Sequence, residues 1–98
     1  MPYEVLKRDD KKVAKSENYK APTLTEIKKN SIVELALYDK SLKVPERCWA
    51  KITYRKGDQL KATIDDFLFH GDLFGLKNGD KLDITKKEVL SIWNKGDQ

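Results

Sequence analysis

The chain has little of the chemistry that enzymes and metal proteins usually need. Its 98 residues contain one cysteine, Cys48, and one histidine, His70. A single cysteine cannot form an intrachain disulfide, and it leaves a thiolate zinc site without its other ligands. We therefore expect no disulfide, no metal and no cofactor. Because free cysteine is among the most buried residue types, we predict that Cys48 is a small core residue.

Long hydrophobic runs are also missing. No stretch approaches the roughly 20 apolar residues of a membrane-spanning helix, and the first residues lack the charged-then-apolar pattern of a secretory signal. We expect a cytoplasmic protein that does not bind membranes. A chain of 98 residues suits one domain with one core.

Charge is abundant by comparison. Charged residues make up 37% of the chain, against roughly 25% in an average soluble domain. The net charge of +4 comes mainly from residues 1–30, which hold eight Lys or Arg against five acids. Such a segment either attracts polyanions or simply confers solubility. We predict a charged arm at 1–21, a β-rich domain at 22–94 and a frayed tail at 95–98. Within the arm, Tyr3 and Val5, with or without Tyr19, could dock on the domain as an edge strand.

Apolar and polar residues alternate at a period of two in several stretches, which predicts half-buried strands. These stretches are 31–38, 47–55, 60–64 and 81–84. Short strands with brief connections and no βαβ rhythm predict a mainly β fold. We expect a small curled antiparallel sheet or a partly open SH3-like or OB-like barrel.

Two Thr-x-x-Glu patterns have the form of a capping box, which predicts short helical turns. The first begins at Thr23 and predicts a turn to about Asn30, and the second begins at Thr85 and predicts a turn through Trp93. Between the third and fourth strands lies a loop with six large apolar residues: Phe67, Leu68, Phe69, Leu73, Phe74 and Leu76. Leaving each of them exposed would forfeit about 1.5 to 3 kcal/mol. We therefore expect all six to be tucked over the open end of the barrel.

The strand at 47–55 has two unlike faces. Alternation directs Cys48, Ala50, Ile52 and Tyr54 to the core, and Arg47, Trp49, Lys51, Thr53 and Arg55 to the other face, which Lys61 and Thr63 of the next strand extend. An aromatic ring among cations on a sheet is a common way to bind single-stranded nucleic acid. Trp49 could also pack inside the protein, as Trp side chains usually do, or anchor a protein interface, where Trp and Arg are favoured.

Four segments in order carry a resemblance to a known family. They are ERCWAKI (46–52), IDD (64–66) at the end of the next strand, GLKNGDKLDI (75–84) and VLSIW (89–93). In this order they resemble the bacterial domain-of-unknown-function family twenty-three fourteen over about residues 31–93. The chain departs from the family at DDFL (65–68), where Asn-x-Pro is usual, and at IW (92–93), where Asp-Trp is common. The resemblance implies a small β-rich fold and brings no established catalytic residues.

Acid–base chemistry could be imagined only at His70, which lies two residues before Asp72. A catalytic triad would also need a nucleophile, and Cys48 or Ser41 would have to meet His70 by folding, without a local motif. We therefore predict that the protein is not an enzyme.

The preferred function is a non-enzymatic interaction module, an accessory or inhibitory subunit that binds a larger protein of a bacterium or phage. The Lys-, Asn- and Ile-rich composition is typical of AT-rich genomes of that kind. The alternative is an accessory protein that binds single-stranded DNA or RNA through its basic aromatic face. The residues predicted to contact the partner or nucleic acid are Arg47, Trp49, Lys51, Arg55, Lys61, Phe69 and Phe74.

Overall fold

A computed structural model describes residues 3–13 and 26–94. Of these residues, 43% are in strands and 9% in helices, and one antiparallel sheet is nearly closed into a barrel with one unsealed seam. The predicted mainly β fold is confirmed. Its elements are β1 (Glu4–Val5), β2 (Ile32–Tyr38), β3 (Glu46–Lys56), β4 (Gln59–Ile64), the short helix α1 (Gly71–Phe74), β5 (Lys81–Thr85), a 3₁₀ turn (Lys86–Glu88) and β6 (Ser91–Asn94).

The strands from β2 to β5 form an antiparallel meander, and β6 returns to pair with β2. β1 and β6 lie along the same edge of β2: Val5 is opposite Leu37, and Ile92 is opposite Val33. A meander closed by one return strand differs from the Greek key of an OB-fold. Of the two predicted barrel types, the order of strands therefore favours the SH3-like one.

The barrel interior is filled by the apolar side chains that alternation directs inward. The fully buried members with the largest side chains on these strands are Val33, Leu35, Leu37, Ile52, Leu60 and Ile64. β3 and β4 are joined by a tight turn in which Gly57 has a φ of 62°, a left-handed conformation that favours glycine. Cys48 is 2% exposed, which confirms its predicted place in the core.

A second, smaller core lies on the outer face of β2. Leu6 and Val13 are buried there with Ala36 and Leu90. The Leu6 N–H donates a hydrogen bond to the Ala36 carbonyl at 2.9 Å, which continues the pairing of β1. The edge strand predicted around Tyr3 and Val5 is therefore present, and residues 3–13 pack on the domain. Tyr19 and residues 95–98 lie outside the described residues.

A β-bulge changes the facing of residues near the end of β3. Ile52 lies opposite Ala62, whereas Tyr54 lies opposite Lys61, so β3 has one extra residue at this point. Directly opposed residues share a face, so Tyr54 joins Lys61 on the outer face, and Arg55 shares the face of its partner in the next pair. That partner is Leu60, which is buried. The predicted facings of Tyr54 and Arg55 are therefore wrong.

The helical turns are shorter than predicted. The capping box at Thr85 is present, with the Thr85 N–H donating to Glu88 Oε1 at 2.7 Å. Its turn ends at Glu88, and β6 begins at Ser91, within the segment predicted to continue the turn. The other capping box begins at Thr23, outside the described residues, and residues 26–30 contain turns but no helix.

Candidate interaction surface

The loop between β4 and β5 divides its large apolar side chains between core and surface. Leu68 and Phe74 are buried and Leu76 is partly buried, whereas Phe67 is 72% exposed, Phe69 is 83% exposed and Leu73 is 39% exposed. The prediction that all six are tucked in is therefore wrong for Phe67, Phe69 and Leu73. Phe74, predicted to contact a partner, instead lies in the core.

Phe74 is enclosed by residues from distant parts of the chain. The ring of Tyr3 packs edge-on against it, with 6.5 Å between ring centroids. Burial raises the pKa of Tyr3, and the negative charges of Asp80 and Asp83 contribute to the same shift. The short helix that carries Phe74 begins at Gly71, where an added Cβ would lie 2.6 Å from the Leu76 carbonyl oxygen. Glycine therefore allows the close turn that directs Phe74 inward.

Glu46, the first residue of β3, fixes the backbone around Phe69. Its side chain is 7% exposed. Its carboxylate accepts hydrogen bonds from the backbone N–H of Phe69 at 2.6 Å and of His70 at 2.7 Å. The Nδ1 atom of His70 lies 2.7 Å from the same carboxylate. A buried carboxylate with several donors holds its partners firmly, so Phe69 projects from an ordered segment.

Asp66 fixes the neighbouring segment. Its Oδ2 atom accepts a hydrogen bond from the backbone N–H of Trp49 at 3.0 Å. Its Oδ1 atom accepts one from the N–H of Phe67 at 2.8 Å, and its own N–H donates to Asn78 Oδ1 at 3.1 Å. Through its carboxylate and its backbone N–H, Asp66 therefore connects β3 with both ends of the loop.

Four aromatic side chains form two contacting pairs, and Asp66 binds the backbone of one member of each pair. Phe67 and Phe69 meet edge to face, with ring centroids 5.3 Å apart and planes at 88°. Trp93 of β6 reaches across β2 to Trp49 of β3, with centroids 6.3 Å apart and planes at 54°. We call these four residues the aromatic surface. Trp93 is 73% exposed.

Trp49 lies on the outer face of the sheet, outside the barrel core. Its neighbours Cys48 and Ala50 are buried, and Trp49 itself is half-buried opposite Glu34. Its contact with Trp93 accounts for part of this burial. Both rings therefore reach the protein surface, where Trp93 is largely exposed and Trp49 is half-buried.

Of the four predicted cations, Arg47, Lys51 and Lys61 lie on the outer face with Trp49, and Arg55 does not. Arg47 Nη1 lies 3.3 Å from the Glu34 carboxylate, and Arg55, beyond the bulge, donates to the Ile27 carbonyl at 3.2 Å. Lys61 Nζ lies 3.9 Å from Asp83 Oδ1. Lys51 is exposed on the Trp49 face. Carboxylates therefore neutralise part of the positive charge predicted for this face, and the guanidinium of Arg55 lies elsewhere.

Cys48, a candidate nucleophile, is buried, and His70, the candidate base, contacts a carboxylate. Burial raises the pKa of the Cys48 thiol to about 12, and the charges of Asp66, Glu46 and Glu34 add to the shift. The thiol is therefore protonated at neutral pH and is a poor nucleophile. His70 contacts Glu46 instead. Within residues 3–13 and 26–94, no group of three or more His, Cys, Asp or Glu side chains could hold a metal ion.

A separate shallow pocket lies at the far end of the β3–β4 hairpin. Its volume is about 210 Å³, and its lining includes Tyr54, Lys61, Asp83 and Glu88. It shares no residue with the aromatic surface. The Glu88 carboxylate is already occupied by the capping box with Thr85.

The residues predicted to contact a partner do not include Phe67 and Trp93 of this surface, nor their supports Glu46 and Asp66. One signal was present for Phe67. Alternation that directs Leu68 inward directs both of its neighbours outward, as in the strand before it. Trp93 was missed because its segment was predicted to be a helical turn.

Comparisons with known proteins do not extend these observations. Neither family models, nor curated proteins, nor solved structures match the chain. The resemblance to the domain-of-unknown-function family stays a prediction. Among the described residues, no helix is long and apolar enough to cross a membrane.

Proposed function

We propose that this protein is a non-enzymatic accessory subunit that docks on a larger protein through the aromatic surface. The observation that carries the proposal is the exposure of Phe67 and Phe69 on backbone held by Asp66 and Glu46. Trp93, also strongly exposed, extends the same kind of surface toward β6.

Phe67 and Phe69 are exposed although their burial would stabilise the fold. Burying an aromatic ring of this size would stabilise the fold by about 1.5 to 3 kcal/mol, yet Phe67 and Phe69 remain in solvent. Rings on a fixed backbone lose little conformational freedom when a partner covers them. Aromatic residues of this kind dominate the binding energy of protein interfaces. A partner with an apolar pocket would therefore bury the two rings that folding leaves exposed.

Nucleic-acid binding is the second candidate, and one observation favours it. The Trp49 and Trp93 rings could stack bases beside the exposed Lys51. A single-strand site also needs several cations along the phosphates. Arg47 and Lys61 both face carboxylates, so protein docking has the stronger support.

The proposal includes a cytoplasmic setting in a bacterium or phage-infected cell. The single, buried cysteine supports a reducing compartment, since the chain makes no use of disulfides. The excess of lysine over arginine, 17 against 3, supports the origin.

Affinity capture with paired variants tests the proposal. The variants are the double change Phe67→Ala with Phe69→Ala, the single change Trp93→Ala, and the control Tyr54→Ala. Tyr54 is an exposed aromatic residue near the opposite end of β3. We expect one protein to be captured by the wild type and by the control, and to be lost from the Phe67 and Phe69 variant.

Two results would overturn it. One is the capture of no protein by the wild type, and the other is a partner that the phenylalanine variant retains at wild-type level. The nucleic-acid alternative is tested separately with a single-stranded oligonucleotide. Binding that weakens steeply with salt and is lost in Lys51→Ala would favour that alternative and count against protein docking.

A further inference from the structure

The loop that carries Phe67 and Phe69 differs in charge from the rest of the chain. Lys and Arg make up 20 of the 98 residues, yet residues 65–76 contain none of them and contain three aspartates. The segment has a net charge of −3. Since the whole chain carries +4, the remaining residues carry +7 (4 + 3 = 7).

The fold keeps this negative charge close to the exposed rings. Asp66 binds the backbone of Phe67, and Glu46 binds the backbone of Phe69. Asp65 and Asp72 are exposed to solvent on either side of the two rings in the chain. Arg47, the cation that follows Glu46, faces Glu34.

We propose that the partner presents an apolar pocket bordered by Arg or Lys side chains, a proposal that rests on the function proposed above. The rings enter the pocket, and the carboxylates of Asp65 and Asp72 meet its basic rim. Complementary charge speeds the encounter of the two proteins and excludes wrong partners, because like charges at an interface repel each other. An acidic partner surface would be repelled by the loop.

A matched pair of synthetic peptides tests the charge preference. One is a short repeat of glycine, leucine and arginine, and the other has glutamate in place of arginine. Each is titrated into the full chain while backbone amide signals are followed by NMR. We expect the arginine peptide to shift amides of residues 65–72 and to bind more weakly as salt is raised. Equal binding of the glutamate peptide, no binding of either, or shifts confined to other residues would overturn the proposal.

Variants separate this proposal from the proposed function. Asp65→Asn with Asp72→Asn should weaken the arginine peptide by about three- to tenfold, as expected for two exposed charge pairs. Asp58→Asn is the control, because Asp58 is exposed in the β3–β4 turn and loses the same charge. If Phe67→Ala with Phe69→Ala abolishes binding while the aspartate variant binds normally, docking stands and the basic rim is wrong. If the phenylalanine variant binds normally, the proposed function fails.

A second copy of the chain is the competing occupant, since its remaining surface is basic. Sedimentation distinguishes the two. A monomer throughout the concentration range supports a separate partner. Association that is lost in Asp65→Asn with Asp72→Asn would overturn the proposal in favour of self-assembly.

Discussion

The Asp66 carboxylate accepts a hydrogen bond from the backbone N–H of Trp49 at 3.0 Å. This contact connects the strand that carries Trp49 to the loop that carries Phe67, whose N–H binds the other oxygen of Asp66. One member of each aromatic pair, Trp49 and Phe67, is therefore anchored on the same side chain. The backbone that carries these rings at the surface is therefore held in place by hydrogen bonds.

Asp66→Ala should disturb both segments at once. The Trp49 and Phe67 N–H groups lose their acceptor, so we expect the free energy of unfolding to fall by about 1 to 3 kcal/mol. Urea denaturation measures the change. The control is Asp65→Ala, an exposed neighbour expected to change stability by less than about 0.5 kcal/mol. Equal effects of the two substitutions would contradict the anchoring role.

Glu46→Ala should destabilise the loop more than His70→Ala. The first change removes the acceptor of two backbone N–H groups and of His70 Nδ1, whereas the second removes only the ring contact. Hydrogen bonds to a charged group contribute about 1.5 to 3 kcal/mol, so Glu46→Ala should cost at least that much. Denaturant unfolding and amide hydrogen exchange at Phe69 check both effects. A larger loss in His70→Ala would show that the ring is the true anchor.

Leu6→Ala tests the second core. Leu6 is 1% exposed and packs with Val13, Ala36 and Leu90, so its truncation should cost about 2 to 5 kcal/mol. The adjacent control, Lys7→Ala, is exposed and should change stability by less than about 0.5 kcal/mol. Thermal and urea unfolding give both values. If Leu6→Ala unfolds like the control, residues 3–13 do not contribute to the fold.

Sequence reasoning was most successful where alternation and burial agree. The core-facing side chains of β2 and of the first half of β3 could be predicted from a period of two, because each strand buries one face. It failed at Tyr54 and Arg55, since the bulge before them adds one residue and reverses the faces. A single sequence carries no mark of that insertion, which depends on pairing with β4.

The surface was predicted only in part for a similar reason. Trp49 and Phe69 were identified from residue type, yet Phe74 has the same type and lies in the core. What separates Phe69 from Phe74 is tertiary: Glu46 binds the backbone of the first, and the turn at Gly71 directs the second inward. Ala36 likewise faces out from the barrel but is covered by Leu6 and Val13.

Cys48 should give the protein a pH dependence above neutrality. Its pKa is raised from 9.0 to about 12, so the folded thiol keeps its proton where the unfolded thiol loses it. The stabilisation is complete below about pH 9 and is lost as the pH rises toward 12, at about 1.4 kcal/mol per pH unit. The unfolding free energy of the wild type should therefore fall relative to that of Cys48→Ala over this range. A difference that stays constant would contradict the buried, protonated thiol.

The most direct test of the aromatic surface is the dissociation constant of the captured partner for the wild type and for Phe69→Ala, measured with the unfolding free energy of both. Because the Phe69 ring is 83% exposed, its removal should change stability by less than about 0.5 kcal/mol. As a central anchor, it should contribute about 2 kcal/mol to binding, so the dissociation constant should rise about thirtyfold. An unchanged dissociation constant with unchanged stability would show that the ring does not meet the partner, and would contradict the proposed docking surface.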